Sequence, residues 1–322
     1  MIAVPVGSRS DGSAVVVPLV ETSTLVAGLP GSGKSSTLRA VIAGGAHRPD
    51  VALVLIDPKR VELPLWEPRA TLVATEPDEI GDALASMVAL IDARYRMMQL
   101  DRLTSWPVAA DRPAVVVVVD ELAELVDSGD GADKQRTQHL RRILSKGRAA
   151  GVIVIAATQR PSADVVPTSL RDLFALRIAH ACATKDATTM ILGDAADVGP
   201  AHELPIGAEH RGLGYAVLEG ERCPVLFRTW WLDPAQARAI AAETAHLRPV
   251  LDLGPVPSAF PVAVTYPVEH AQVLDAVGTR PVTAPAVARA TGLGDDRVRA
   301  TLASLAAAGT VRRLNGSQWV RT

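Results

Sequence analysis

This 322-residue sequence predicts an α/β fold, a mainly parallel sheet flanked by helices, followed by a small three-helix module with a hairpin. Three observations carry that expectation. Short apolar runs alternate with helical patterns up to about residue 230: Thr24–Ala27, Val51–Ile56, Ala114–Val119, Val152–Ala156 and Ala175–Ala181. Runs apolar on both faces suit strands covered by helices on either side. A glycine-rich loop lies between the first run and a helical pattern. The chain then changes character at residues 248–267, where five prolines fall in twenty residues and read as a semi-rigid linker.

The loop is Gly28-Leu29-Pro30-Gly31-Ser32-Gly33-Lys34-Ser35, a full G-x-x-x-x-G-K-S phosphate loop, and Leu38, Val41 and Ile42 carry the helical spacing after it. The glycines let backbone N–H groups turn inward on phosphates, Lys34 supplies a point charge to β/γ oxygens, and Ser35 offers a hydroxyl to Mg²⁺. Gly28 through Ser36 are therefore the candidate nucleotide-binding set. The valine run Val115–Val119 ends in Asp120-Glu121, with Asp120 suited to the Mg²⁺ shell and Glu121 to polarising a water. Together the two segments predict nucleotide hydrolysis, with ATP and Mg²⁺ as cofactors.

Between the second and third runs, Ile80, Leu84, Met87, Val88, Ile91 and Met98 keep helical spacing, with Pro77 near the start of the helix. After the acid pair, Asp127–Asp133 reads as a mobile loop leading into a basic helix carrying Lys134, Arg136, Arg141, Arg142, Lys146 and Arg148. That helix is either a solvated charged face or a set of cations for DNA phosphates or a neighbouring subunit's nucleotide.

The C-terminal module, residues 268–322, has Val273, Leu274 and Val277 on one short stripe. Thr283 can cap a second helix bearing Val287 and Leu293, and Asp295 a third bearing Val298, Leu302 and Leu305. Gly309 stops the third helix, and strands Val311–Leu314 and Gln318–Arg321 flank an Asn315-Gly316 turn. Three helices and a hairpin wing outline a winged helix-turn-helix. Residues 270–322 hold seven Arg against three Asp, a local charge of +4, so Arg297, Arg299, Arg312 and Arg313 are candidate DNA-phosphate contacts. The helix face with Ala300, Ala303, Ser304 and Ala307 allows close approach to a groove but has few base-reading donors.

Composition sets the outer limits. The formal net charge of −2 argues against a wholly basic binder, so any DNA contact must be local. Arg outnumbers Lys 28 to 5, a skew that fits GC-rich coding bias rather than a nucleic-acid signal. Cys182 and Cys223 lack metal or redox spacing and read as two buried thiols in a reduced, cytoplasmic chain, while His180 and Cys182 read as a strand pair rather than ligands. No apolar run approaches a membrane span and no signal-peptide pattern opens the chain.

The order LVAGLPGSGKSSTL, LVLIDPKRVEL, VVVVVDELAEL, LSKGRAAGVIVIAATQRPSADVV and LRIAHA, from about Val4 to Tyr215, closely resembles the motor domain of the FtsK/SpoIIIE DNA translocases. The segments Ile56-Asp57-Pro58-Lys59 and Ala157-Thr158-Gln159-Arg160-Pro161-Ser162 are together distinctive. The resemblance implies a RecA-like P-loop NTPase fold over residues 1–247, assembled as a homo-oligomeric, usually hexameric ring that threads double-stranded DNA using ATP. It implies that Lys34 and Ser35 bind phosphate and Mg²⁺, that Asp120 and Glu121 are the acid pair, and that Gln159 senses the γ-phosphate. Arg177, in the family's RIA strand, becomes the candidate arginine finger acting between subunits. The chain starts at the motor, and Asp186-Ala187-Thr188-Thr189 stands where DSR often follows. Both shift the expectation from a septal chromosome pump to transfer proteins of conjugative plasmids and integrative elements, with a possible membrane-anchored partner. Two alternatives remain open at this point: a polypeptide-secretion ATPase of the related type VII class, and an ATP-gated DNA-binding regulator.

Overall fold

The computed structural model describes residues 2–126, 131–162, 166–219, 221, 223–251, 272–273, 275–277, 281–307, 311–314 and 318–321. The chain forms two compact units, Met1–Phe260 and Pro261–Thr322. In the first unit a single ten-stranded sheet runs β2 (Ala14–Pro18), β1 (Ala3–Ser8), β10 (Val225–Thr229), β9 (Leu213–Val217), β8 (Leu176–His180), β3 (Thr24–Ala27), β7 (Val152–Thr158), β6 (Ala114–Val119), β4 (Val51–Ile56), β5 (Leu72–Ala74). From β8 to β5 every pairing is parallel, and the five strands expected from sequence stand side by side there. From β8 outward through β9, β10, β1 and β2 the pairings turn antiparallel.

The uninterrupted valines of β6 follow from its central place. Val115, Val117 and Val119 enter one core with Ile80, Leu84, Met87 and Ile91 of α2 (Pro77–Leu100), whereas Val116 and Val118 enter the other with Leu38, Val41 and Ile42 of α1 (Lys34–Ala46). Each fully buried valine contributes roughly 1.5 kcal/mol or more, so neither face tolerates a polar residue. At the start of α2, Pro77 is preorganised for the first turn, and Glu76 and Glu79 close a reciprocal capping box. The short α3 (Ala123–Val126) and the longer α4 (Gly131–Lys146) follow β6. Residues 131–133, expected in a loop, are thus helical, because α4 begins earlier than its basic residues; positions 127–130 of that expected loop lie outside the described residues. Cations of α4 pack against neighbouring elements, Arg142 pairing with Asp92 at 2.7 Å and Arg141 donating to Ser169 Oγ at 3.1 Å. The unit is completed by α5 (Thr168–Arg171), α6 (Lys185–Leu192) and α7 (Pro234–Glu243).

The expected linker begins as part of the first unit: Thr71 Oγ1 donates to Pro249 O at 3.3 Å and Leu251 packs on the α2-side core. Positions 252–267 lie outside the described residues. Cys182 is buried, but Cys223, just before β10, is exposed, so only one of the two thiols is a core group.

In the second unit, α8 (Ala284–Thr291) and α9 (Asp295–Ala307) pack with Val273, Val277, Val287, Val298, Leu302 and Leu305 in one core. A three-stranded sheet, β11 (Val282–Thr283), β13 (Gln318–Arg321) and β12 (Val311–Arg313), stands beside them. The two caps differ from expectation. Thr283 occupies the N-cap position without a side-chain cap bond, its backbone paired with Gln318 in the sheet, and Asp295 is the first helical residue rather than the residue before it. Leu274, Gly309, Asn315 and Gly316, each given a role above, lie outside the described residues.

Candidate nucleotide site

The phosphate loop leaves the carboxyl end of β3 and enters α1 at Lys34. Its shape depends on Gly33, whose φ of 135° disfavours any other residue, and whose added Cβ would stand 2.7 Å from Gly212 Cα. Ser32 O accepts from Gly212 N at 2.8 Å, which ties the loop to the segment entering β9. Lys34 turns back on the loop: its Nζ donates to Gly28 O at 2.7 Å and Leu29 O at 2.9 Å. Burial pulls the Lys34 ammonium down to about 8, with Glu121 and Asp120 opposing that fall. Ser32 Oγ is buried with no hydrogen-bond partner among the described residues, and Ser35 and Ser36 lie in the first turn of α1.

The acid pair comes from the neighbouring strand end. Asp120 N still pairs with Ile56 O at 3.1 Å, so Asp120 keeps the parity of Val116 and Val118, on the α1 side of the sheet. Burial, with Asp57 and Glu62 nearby, pushes the Asp120 carboxyl up to about 6, and Lys59 opposes the rise. Glu121 is almost fully buried. Its Oε2 pairs with Lys59 Nζ at 2.9 Å, and its Oε1 accepts from Gln159 N at 3.2 Å. Lys34, Asp120, Glu121 and Gln159 therefore converge at the carboxyl ends of β3, β6 and β7.

Arg177 does not join them. It sits opposite Leu25 in the β3–β8 register, three residues before His180 at the strand's carboxyl end, and burial lowers its pKa from the ordinary guanidinium value. In the second unit, Arg297, Arg299, Arg312 and Arg313 are all exposed, and Arg313 lies over the Trp319 ring at 5.7 Å.

Three supporting residues had no role in the sequence reading. Lys59 reaches Glu121 because β4 lies beside β6. Asp57, fully buried, accepts backbone N–H bonds from Lys59, Val61, Glu62 and Leu63 and so shapes the loop that carries Lys59. His180 Nδ1 faces Leu213 O at 2.9 Å, a pure acceptor, so that nitrogen carries the proton and Nε2 accepts from Thr37 Oγ1 at 2.8 Å. Burial drives the His180 imidazole down to about 4, and its neutral ring braces α1 against β8 and β9.

Residues 1–106 match the FtsK/SpoIIIE family, and residues 257–317 match the DprA winged helix domain. The first match takes in the third of the chain from β1 through α2, and the second takes in most of the C-terminal unit. A DNA translocase FtsK of Staphylococcus aureus (strain Mu50) is 34% identical over 214 residues, 60% of this chain and 27% of that protein. Protein Tra of Streptomyces lividans is 29% identical over 94% of this chain and 53% of its own length. The chain thus spans between about a quarter and a half of these curated relatives. The conjugation coupling protein TcpA of pCW3, solved in monomer form with ATPγS, superposes with a TM-score of 0.64 at 22% identity, covering 74% of this chain and 69% of that one. That likeness shows a shared fold, a mostly parallel sheet flanked by helices. Among the described residues, no helix is long and apolar enough to cross a membrane.

Proposed function

We propose that this chain is an ATPase motor that uses ATP and Mg²⁺ to move double-stranded DNA, working as a homo-oligomeric ring in conjugative transfer. The convergence of Lys34, Asp120, Glu121 and Gln159 at one sheet edge carries the hydrolytic part of this reading. DNA as the substrate rests on the likeness to the DNA translocase FtsK.

The residues present suit a magnesium-bound triphosphate. Lys34 spends donors on the carbonyls of its own loop, Ser32 Oγ has no hydrogen-bond partner among the described residues, and the Asp120 carboxyl is pushed up by burial and by neighbouring acids, a rise that a divalent cation would relieve. Bound there, MgATP would supply a phosphoanhydride bond poised for cleavage and a metal charge to draw electron density from it. Lys34 would exchange its carbonyl partners for phosphate oxygens, and Ser35 and Asp120 would hold the metal. Glu121 would accept the proton of the attacking water, its carboxylate aimed by Lys59 and by the Gln159 N–H. The Gln159 tie gives a route by which events at the phosphate edge reach β7. Arg177 of one subunit would act on the site of the next, and the arginines of the winged helix would hold DNA phosphates at the loading site.

Steady-state ATPase activity on duplexes of increasing length tests this reading. A motor predicts strong stimulation that grows with duplex length, whereas hydrolysis indifferent to DNA would overturn it.

A further inference from the structure

Only 3% of this chain is aromatic, yet two adjacent tryptophans, Trp230 and Trp231, stand 45% and 67% exposed. Their position is set by the sheet. β10 runs toward the phosphate-loop edge and ends at Thr229, whose N donates to Gly212 O at 2.8 Å, and Gly212 is the residue against Gly33. From there the chain crosses α1 to reach α7. Arg39 of α1 fixes the crossing: its Nη1 donates to Leu232 O at 3.0 Å, and its guanidinium lies 5.9 Å from the Trp231 ring centre. Arg39 is itself held by Glu62, with Nε to Oε2 at 3.0 Å, so its charge is balanced and its geometry locked. Arg39 follows Lys34 by five residues, about 7 Å along the helix axis.

One side of the Trp231 ring therefore rests near a fixed guanidinium while much of the rest faces open solvent, beside a loop shaped for phosphates. Two large apolar rings at such a place are what a planar heterocycle would cover. We infer that the Trp230–Trp231 step is the base platform of the nucleotide site, with the nucleobase stacking on the exposed indole. This rests on the nucleotide reading above and adds to it how the base is recognised. A stacking surface reads ring area and not the hydrogen-bonding edge, so ATP and GTP should share it.

The test compares ATP, GTP and inorganic tripolyphosphate binding to the full chain by titration calorimetry in Mg²⁺, for wild type, Trp231→Ala, Trp230→Ala and Trp231→Phe. Because Trp231 is two-thirds exposed and Trp230 nearly half exposed, the variants should melt within about 2 °C of wild type. The platform predicts that Trp231→Ala weakens ATP and GTP about tenfold, leaves tripolyphosphate unchanged, and is largely rescued by Trp231→Phe. Equal affinity of wild type and both alanine variants for ATP would overturn the platform alone, as would an equal loss for ATP and tripolyphosphate. If wild type binds neither, the nucleotide reading falls and the platform with it.

Discussion

Replacing Lys59 with Met should show how much the site depends on the cation beside Glu121. The Glu121 side chain is 3% exposed and Lys59 is 37% exposed, with 2.9 Å between Nζ and Oε2. Removing one partner of a fully buried pair costs about 3–5 kcal/mol, whereas an exposed pair is worth about 1 kcal/mol or less. Here the glutamate is buried, the lysine is partly wet, and the N–H groups of Gln159 and Ala123 remain on the carboxylate. Those facts place the cost near 2 kcal/mol, or a fall of about 4–8 °C in Tm for a unit of this size. The cost comes from a stranded buried charge, so Glu121→Gln should restore much of it in the double variant. A double-mutant cycle on Tm or denaturant midpoint reads this directly, with an expected coupling of about 1–2 kcal/mol. Coupling under about 0.5 kcal/mol would refute the idea that Lys59 compensates Glu121.

Four further outcomes are expected. Lys34→Ala should abolish ATP turnover in a phosphate-release assay while the fold persists, since that ammonium contacts only the loop's own carbonyls among the hydrogen bonds described. Asp57→Ala should lower stability by about 3 kcal/mol in urea melts, because four backbone donors lose their acceptor. His180 is held neutral, with a folded pKa of about 4 against 6.5 when unfolded, so the unfolded chain binds the proton first as pH falls. Stability should therefore drop between pH 6.5 and 4, by an amount on the order of 3 kcal/mol, and His180→Phe should flatten that slope in Tm scans. Removing residues 268–322 should leave ATP hydrolysis intact and erase DNA sequence preference in a competition assay; a truncated chain that still selects one sequence would refute the role given to the winged helix.

The part of the fold legible in the sequence was the part buried on both faces. β3, β4, β6 and β7 are buried at every position, which leaves long apolar runs without ambiguity. The antiparallel extension was hidden by its own chemistry. β1 contains Pro5 and Gly7, ordinarily strand breakers, and Gly7 is needed because a Cβ there would meet Arg228 O at 2.3 Å. β2 is half exposed, and β5 has only three residues, too short for periodicity to register.

The site divides along the same line. Lys34, Ser35, Asp120 and Glu121 stood out because each belongs to a contiguous motif. Lys59 lay in a motif too, but its partner is 62 positions away and appears only once β4 and β6 are neighbours. His180 had no local sign of function, since its partners Thr37 and Leu213 come from α1 and the start of β9. Trp230 and Trp231 follow a strand that the sequence had not revealed.

The central claim is movement along duplex DNA driven by hydrolysis at the Lys34–Glu121 edge. Displacement of a third strand from a DNA triplex measures it most directly. The wild-type chain should strip the strand in the presence of MgATP, and Glu121→Gln should bind nucleotide and leave the triplex intact. A wild-type chain that splits ATP on the same DNA while the triplex persists would contradict the account.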